Sequence, residues 1–259
     1  NWDNGVAGNA GAVTWGSGAT GVAGVISAAN SLVGSTAGDA AGYGDIVELS
    51  SGNYVVVSTF WHNGVIVDAG AATWCSGTTG RTGVISAANS LIGVTNEDLV
   101  GNNGVTALAN GNYVVASPNW DRGVILDAGA ATRGSGTAGV AGVISAVNSL
   151  VGSTLSDQVG GRGVTTLASG NYVVSSENWT NGAVFGAVTW GSGTTGVAGV
   201  VSAANSLVGS TAGDGVGAGG VTALSNGNYV VPSPYWDNGV IVDVGAATWG
   251  SGTSGVSGV

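Results

Sequence analysis

Lysine and methionine are absent from this chain of 259 residues, and only 7% of its residues are charged. An ordinary soluble domain carries about 25% charged residues. Four arginines stand against fourteen acidic residues, which gives a formal net charge of −10. Because a phosphate-binding surface needs clustered lysine or arginine, we expect no nucleic-acid partner.

Residue types that carry catalysis or bind metals are equally scarce, since the chain has one cysteine and one histidine. Cys75 replaces a glycine that recurs in the other repeats, and His62 replaces the aspartate of a Trp-Asp-Asn-Gly motif in the same repeat. Drift within a repeat explains both substitutions better than a catalytic pair does. One cysteine and one histidine cannot build a disulfide framework, a metal cage or a Ser-His-Asp set. We therefore expect no enzymatic activity, no cofactor and no metal site.

Long hydrophobic runs are missing as well. No apolar segment reaches the roughly 18 residues that a membrane-spanning helix needs, so we expect no membrane insertion. Apolar residues nevertheless make up 44% of the chain, which is enough to form a buried core.

What the chain does contain is 51 glycines and a motif that recurs along its whole length. The tyrosines of an Asn-Tyr-Val-Val segment follow one another at steps of 59, 59 and 57 residues, and five tryptophans keep the same spacing. These residues are Tyr54, Tyr113, Tyr172 and Tyr229, with Trp2, Trp61, Trp120, Trp179 and Trp236. Such a period indicates tandem supersecondary units that bury their apolar faces by packing on their neighbours.

The chain divides into a single array of about 4.4 repeats, with partial repeats at 1–42 and 218–259. Complete repeats run over 43–101, 102–160 and 161–217, and the repeats are numbered one to five below. We expect the array to belong to a longer chain or to an assembly. Its expected partners are other copies of the chain or further repeats of the same chain.

The fourth repeat differs from the others in one loop. Trp179 and Trp190 are separated by 11 residues, whereas the matching pairs in other copies are separated by 13. A deletion within a packed strand would shift its register, so the segment between Asn181 and Ala187 is predicted to be a loop.

Each complete repeat begins with a predicted β-hairpin. In the third repeat, Asn110-Gly111 lies between two β-rich runs, and this dipeptide favours a two-residue type I′ turn. A two-residue loop pairs Leu108 with Tyr113. Both faces of the hairpin are then apolar, so we expect it to lie between two packed layers.

The remainder of the repeat predicts two further strands. Residues 11–15 of the first repeat form the third, and residues 25–34 favour a fourth, with a helical turn at 27–30 as the alternative. Pro118 and Pro234 end the second strand, because proline cannot donate to a strand ladder. Four short strands in about 59 residues predict an all-β fold of tandem, four-stranded antiparallel β-propeller blades. A β-solenoid fibre is the alternative fold, although the sequence lacks the sub-repeat of roughly 20 residues that a solenoid needs.

The order of these motifs resembles the FG-GAP repeat, the blade of integrin α-subunit propellers and of many bacterial surface proteins. The matching text in the last repeats runs from Ala-Gly-Asp214 through Gly217 and Pro234 to Asp237-Asn-Gly and Thr-Trp249-Gly. The family is named after a Phe-Gly pair, and this chain has a small or aliphatic residue in place of that phenylalanine, at Ala41, Val100, Val159 and Val216. The family's acidic calcium loop is replaced by a tight Asn-Gly or Ser-Gly turn. Calcium takes about six to eight oxygen ligands, so the resemblance does not extend to calcium binding.

The Trp-Asp-Asn-Gly loop is the candidate ligand site. Its tryptophans could stack on sugar rings while the neighbouring carboxylates accept hydrogen bonds from hydroxyl groups, and repetition would add avidity. In the alternative interpretation, which we favour, the tryptophans fill gaps between repeats and the aspartates cap turns. The candidate residues are Trp2, Asp3, Trp61, Trp120, Asp121, Trp179, Trp236 and Asp237.

A second set of acidic residues recurs once per repeat, directly before a glycine-rich turn. The set consists of Asp39, Asp98, Asp157 and Asp214. An aspartate in this position usually bonds its own backbone and fixes the turn, which is the interpretation we favour. A ring of carboxylates that binds cations is the alternative.

These features together favour a non-enzymatic structural or adhesive repeat protein, exported by a bacterium and located outside the cell or on its surface. Near-identical units suit the formation of filaments, because a heterologous contact that does not close makes a fibre. The alternative function is a carbohydrate-binding, lectin-like propeller that uses the Trp-Asp-Asn-Gly loops and has surface glycans as partners.

Overall fold

The computed structural model describes residues 2–182 and 186–259. Strands and turns account for the regular structure of these residues, and no helix occurs among them. The prediction of an all-β repeat protein is therefore confirmed. In the same ranges no helix is long and apolar enough to cross a membrane. The predicted loop of the fourth repeat includes residues 183–185, which lie outside the described residues.

Each complete repeat contributes four strands to one sheet and a short linking strand to another. The first strands are Ile46–Glu48, Val105–Ala107, Gly163–Thr166 and Thr222–Ala223. The second strands are Tyr54–Ser58, Tyr113–Ser117, Tyr172–Ser176 and Tyr229–Ser233. The third strands are Ala12–Val13, Ala71–Cys75, Ala130–Gly134, Ala187–Gly191 and Ala246–Gly250. The fourth strands are Leu32–Val33, Leu91–Ile92, Ser149–Val151 and Leu207–Val208, and the linking strands are Gly83–Val84, Gly142–Val143 and Gly199–Val200.

The four strands of a repeat pair in sequence order, and every pairing between them is antiparallel. In the third repeat, Val115 pairs with Val105 of the first strand and with Thr132 of the third. Ala130 of the third strand pairs in turn with Val151 of the fourth. The second strand stops at Ser117, directly before Pro118, as the missing amide donor predicts.

The hairpin turn is one residue longer than the sequence predicts. Ala107, and not Leu108, pairs with Tyr113. The amide of Leu108 donates to the Asn112 carbonyl at 2.8 Å, which encloses a loop of three residues. Gly111, the last of the three, has a φ of +86°, and a left-handed residue at this position is typical of three-residue hairpin loops. The prediction of a two-residue turn was wrong, because Asn-Gly marks the place of a turn and does not determine its length.

The last apolar run of each complete repeat pairs with two sheets. Its first part, such as Gly142–Val143, pairs in parallel with Leu91–Ile92, the fourth strand of the preceding repeat. A tight turn follows, in which the amide of Ser149 donates to the Ser145 carbonyl at 3.0 Å. The chain then forms the fourth strand of its own sheet. The strand and the helical-type turn that the sequence left as alternatives are therefore both present.

Neighbouring sheets pack face to face. Val55 and Ala72 of the second repeat share one core cluster with Tyr113 and Val115 of the third. The opposite face of the third repeat, which carries Val114, packs in the same way against the fourth repeat. Equivalent clusters join the first repeat to the second and the fourth to the fifth. The second strand of the hairpin, Tyr113–Ser117, is buried on both faces as expected, whereas its first strand, Val105–Ala107, is only half-buried. No sheet in the described chain closes into a barrel.

One glycine shows how closely the strands approach each other within a repeat. A Cβ atom on Gly136 would lie 1.7 Å from the Gly111 carbonyl oxygen, which belongs to the backbone of the hairpin turn. Gly18 occupies the matching position in the first repeat, where a Cβ atom would meet nothing within 4 Å.

We expect Gly136→Ala to lower the free energy of unfolding by about 3 kcal/mol, because the backbone of a hairpin turn cannot move aside without breaking its ladder. Gly18→Ala is the matched control and should change stability by less than about 0.5 kcal/mol. Urea denaturation followed by tryptophan fluorescence measures both changes. Equal losses in the two variants would contradict the close approach described above.

Candidate functional site

The tryptophans of the Trp-Asp-Asn-Gly loop are part of the core. Trp61, Trp120 and Trp179 are each only 4% exposed, and they belong to the clusters that join consecutive repeats. Trp2 and Trp236 are half-buried. The rings of the three interior tryptophans therefore offer no free face on which a sugar could stack.

The aspartate beside the tryptophan caps its own loop. Asp121 Oδ1 accepts a hydrogen bond from the amide of Asp127 at 2.7 Å. Asp127 has a φ of +50°, so the capping bond supports a left-handed backbone at the far end of the loop. Asp3 and Asp237 accept the equivalent bonds at 2.8 Å. The interpretation that these aspartates cap turns is in agreement with this geometry.

Asp121 is almost buried, and its electrostatic surroundings are unfavourable for a carboxylate. Burial raises its pKa above the ordinary value, and the hydrogen bond from Asp127 lowers it. The negative charges of Asp98, Asp127 and Glu97 raise it further. Asp121 thus accepts the capping hydrogen bond, but the neighbouring negative charges disfavour its ionised form.

The second set of aspartates is completely buried and joins two repeats. Asp98 Oδ2 accepts hydrogen bonds from the amides of Val94 and Thr95, at 2.6 and 2.8 Å, which fixes the turn of its own repeat. Asp98 Oδ1 accepts a third bond, at 2.8 Å, from the amide of Asp121 in the next repeat. The three other junctions repeat this arrangement with Asp39, Asp157 and Asp214.

The carboxylate of Asp214 shows the energetic balance of this arrangement. Burial by itself opposes its ionisation, but the hydrogen bonds from Thr211, Ser210 and Asp237 outweigh that effect and lower the pKa. A charged group with several donors can remain ionised in a buried place. The turn-fixing interpretation is correct, but no feature of the sequence indicated the additional bond to the next repeat.

A second set of polar contacts joins the hairpin turns, and sequence reasoning missed it. The amide oxygen of Asn112 accepts a bond from the amide of Gly136 in its own repeat at 2.9 Å. Its amide nitrogen donates to the carbonyl of Gly193 in the next repeat at 2.7 Å. Asn53 and Asn171 make the same two bonds. The invariable asparagine before each repeated tyrosine was the available signal.

The third-strand tryptophans complete the junction. The indole nitrogen of Trp190 donates to the Gly252 carbonyl of the next repeat at 3.1 Å, and Trp74 makes the equivalent bond to Gly136. Arg133, which replaces this tryptophan in the third repeat, donates from Nε to the Gly193 carbonyl at 3.3 Å. A cation can replace an indole here because both side chains carry an N–H donor on a long apolar body.

Cys75 and His62, the single cysteine and the single histidine of the chain, do not form a reactive pair. Burial raises the pKa of the Cys75 thiol to about 12, although its hydrogen bond with Tyr54 acts in the opposite direction. The thiol is therefore neutral near pH 7, and a neutral thiol is a poor nucleophile. His62 Nδ1 lies 3.6 Å from Asp39 Oδ1, at a junction between repeats. Across the described ranges, no group of three His, Cys, Asp or Glu side chains is arranged to hold a metal ion.

Stacked sheets joined by recurring polar junctions define a tandem-repeat protein of the all-β class. The family profile described as a repeat of unknown function (DUF5650) matches residues 1–43, 48–102, 107–161, 166–218 and 223–259. The matches cover most of the sequence, so the chain belongs to the DUF5650 family. No curated protein shows a significant match to it.

The buried carboxylates should support stability in a pH-dependent way. We expect Asp214→Asn to lower the free energy of unfolding at pH 7 by about 2 kcal/mol, because an amide accepts weaker hydrogen bonds than a carboxylate. The folded pKa of Asp214 lies below its unfolded value of 3.8. Its contribution is therefore present above that value and is lost as the pH falls through the folded pKa.

The difference between wild type and Asp214→Asn should consequently shrink in acid, as measured by urea denaturation from pH 7 to pH 3. Asp45→Asn, which changes an exposed carboxylate, should have little effect at any pH in that range. A loss in Asp214→Asn that stays constant with pH would contradict an ionised carboxylate at the junction.

The opposite sign is expected for the loop cap. Asn at position 121 keeps an oxygen that accepts the bond from Asp127 and removes a charge that three carboxylates repel. The folded pKa of Asp121 is raised, so its charge destabilises the fold above that pKa and the penalty disappears as the pH falls. Asp121→Asn should therefore increase the free energy of unfolding at pH 7 by about 0.5 kcal/mol. Thermal unfolding at pH 7 and pH 4 measures the gain, and a variant less stable than wild type at pH 7 would contradict it.

Proposed function

We propose that the chain is a non-enzymatic structural repeat protein, exported by a bacterium, that forms a scaffold or surface appendage outside the cell. The supporting observation is that the recurring side chains form hydrogen bonds between neighbouring repeats. In each interior repeat the buried aspartate, the hairpin asparagine and the third-strand tryptophan, or Arg133 in its place, all bond to the neighbouring repeat. A motif whose side chains bond to the neighbouring repeat is suited to forming an extended array of repeats.

Composition supports the same proposal. The absence of lysine, the low charge and the 51 glycines suit an extracellular material more than a binding domain for charged partners. Surface adhesion would fit a further feature of the repeats. Val6, Val65, Val124 and Val240 lie at the tips of tight loop turns and are almost fully exposed.

We propose further that the sheets are blades of the FG-GAP type. The order of the motifs along the sequence supports this, and so does the sequence-ordered antiparallel pairing of four strands. First strands of consecutive repeats also contact one another, which is typical of the innermost strands of propeller blades.

The expected partner is another repeat of the same kind. The face of the fifth repeat that carries Trp249 is open, and this tryptophan is 57% exposed. In the interior repeats, the equivalent side chains Trp74 and Trp190 are half-buried and donate to a glycine carbonyl. A repeat of a second copy or a further repeat of the same chain would bury this face and accept that hydrogen bond.

Electron microscopy of the purified 259-residue chain tests this proposal. We expect the particles to associate end to end and to lengthen as the concentration rises. Trp249→Asp should reduce the association at least tenfold, because it places a charge on the face that must be buried. Val124→Asp, on an exposed loop tip, is the matched control and should leave association unchanged. Wild-type particles that remain separate at every concentration would contradict the proposal.

Carbohydrate binding is the second candidate function. It is favoured by Trp2 and Trp236, two half-buried loop tryptophans that each line a cavity of the described structure. A glycan array with wild type and Trp236→Ala tests this function. Silence across the array would leave the structural proposal as the better account.

A further inference from the structure

A cavity of about 340 Å³ lies at the junction between the second and third repeats. Three acidic side chains line it, Glu97 from the turn of the second repeat and Asp121 with Asp127 from the tryptophan loop of the third. Leu99 and Leu126 add apolar surface from the same two segments. The lining therefore belongs entirely to two complete repeats of the array.

Asp121 contributes an unpaired oxygen to the wall of this cavity. Its side chain is only 9% exposed, and its Oδ1 accepts the capping bond from the Asp127 amide. In the part of the chain that the structure describes, its Oδ2 accepts no hydrogen bond. The matching oxygen of Asp237 has a partner, because Thr211 Oγ1 donates to its Oδ2 at 3.3 Å. A buried carboxylate oxygen without a donor favours a ligand that brings one.

Within the described structure, the chain pairs no cation with the carboxylates of the cavity. Lysine is absent from the sequence. Arg122 lies in the same loop as Asp121, but its Nη1 donates to the Gly152 carbonyl at 3.4 Å. The ion pairs found in residues 2–182 and 186–259 include no acidic side chain of this cavity. A compensating positive charge must therefore come from outside the described chain.

The carboxylates also disfavour one another. Burial raises the pKa of Asp121, and the negative charges of Asp98, Asp127 and Glu97 raise it further. Like charges that are gathered at a cost in stability are typical of functional sites. A cation bound between these carboxylates would remove the repulsion, because an opposite charge nearby favours the ionised form.

This set of side chains occurs at one junction only. The first, third and fourth repeats have a glycine or a serine in place of Glu97, at Gly38, Ser156 and Gly213. Asp121 is itself replaced in the second and fourth repeats, by His62 and Thr180. The site is thus a local addition to the repeated motif and not a part of it.

The lining determines the chemical class of the ligand. The carboxylates require a positive charge, and Leu99 with Leu126 suits an aliphatic stem like that of a lysine or arginine side chain. Small-molecule sites commonly have volumes of roughly 300–1,000 Å³, so the cavity is large enough for such a stem. No three His, Cys, Asp or Glu side chains in the described ranges are placed to hold a metal ion. An organic cation matches these features better than a metal ion does.

We propose that this cavity binds one organic cation, a primary ammonium or guanidinium group on an aliphatic stem. Free alkylamines and the lysine or arginine side chains of a peptide both carry this chemistry. The inference goes beyond the structural function proposed above and does not depend on it.

An amide NMR titration of the complete chain tests the site at low ionic strength, where attraction between charges is least screened. The probes are butylammonium, butylguanidinium and an end-blocked Gly-Arg-Gly peptide, with 1-butanol as the neutral control. We expect at least one cation to shift the amide signals of Glu97, Asp121 and Asp127, and 1-butanol to bind at least tenfold more weakly. Stronger binding of the peptide than of the small cations would identify a basic side chain of a partner as the ligand. The reverse order would identify a free amine.

Two variants locate the charge that binds. Glu97→Gln changes an exposed side chain, so the fold is retained, and it should weaken binding several-fold. Asp121→Asn keeps an oxygen for the capping bond and should weaken binding at least tenfold. Glu48→Gln changes an exposed glutamate outside the cavity and is the matched control, which should leave binding unchanged.

The proposal would be overturned if none of the three cations shifted these signals, or if 1-butanol bound as tightly as butylammonium. Equal losses in Glu97→Gln and Glu48→Gln would also overturn it, because they would show a general attraction to a chain of negative charge. Displacement of the cations by an equal concentration of calcium would show a metal site and would contradict the chemical class proposed here.

Discussion

The buried carboxylate at each junction is the constraint on which the rest of the array depends. Asp98 is completely buried, and its two oxygens hold a turn of one repeat and the tryptophan loop of the next. A buried charge is tolerated only where donors surround it, so the two segments must remain in contact for either to be stable. The tryptophan of the same loop then fills the adjoining core. Turn geometry, the position of the loop and the sheet packing are therefore coupled through one side chain.

The sequence predicted the large features of this fold well because they follow from periodicity. Repeated tyrosines and tryptophans required modules that pack on each other, and apolar residues on both faces of the hairpin required burial between layers. Local ambiguities were harder. The run at 142–151 serves two sheets at once, and no single period describes a segment that changes partner. The hairpin register also depends on a three-residue loop that Asn110-Gly111 does not specify.

The polar junctions were predictable only in part. A repeated aspartate before a glycine turn indicated a local bond, and that bond is present. The same carboxylate of Asp98 also accepts a bond from Asp121 in the next repeat. These two residues are 23 positions apart, and no sequence motif indicates such a contact.

The parallel linking strand has a consequence for how such an array changes size during evolution. Each module contributes one strand, Gly142–Val143 in the third repeat, to the sheet of its predecessor, and every junction uses the same kinds of contact. Unequal recombination that adds or removes a whole module therefore creates no new kind of surface inside the array. The number of repeats in the protein can therefore change while every interface between repeats stays the same.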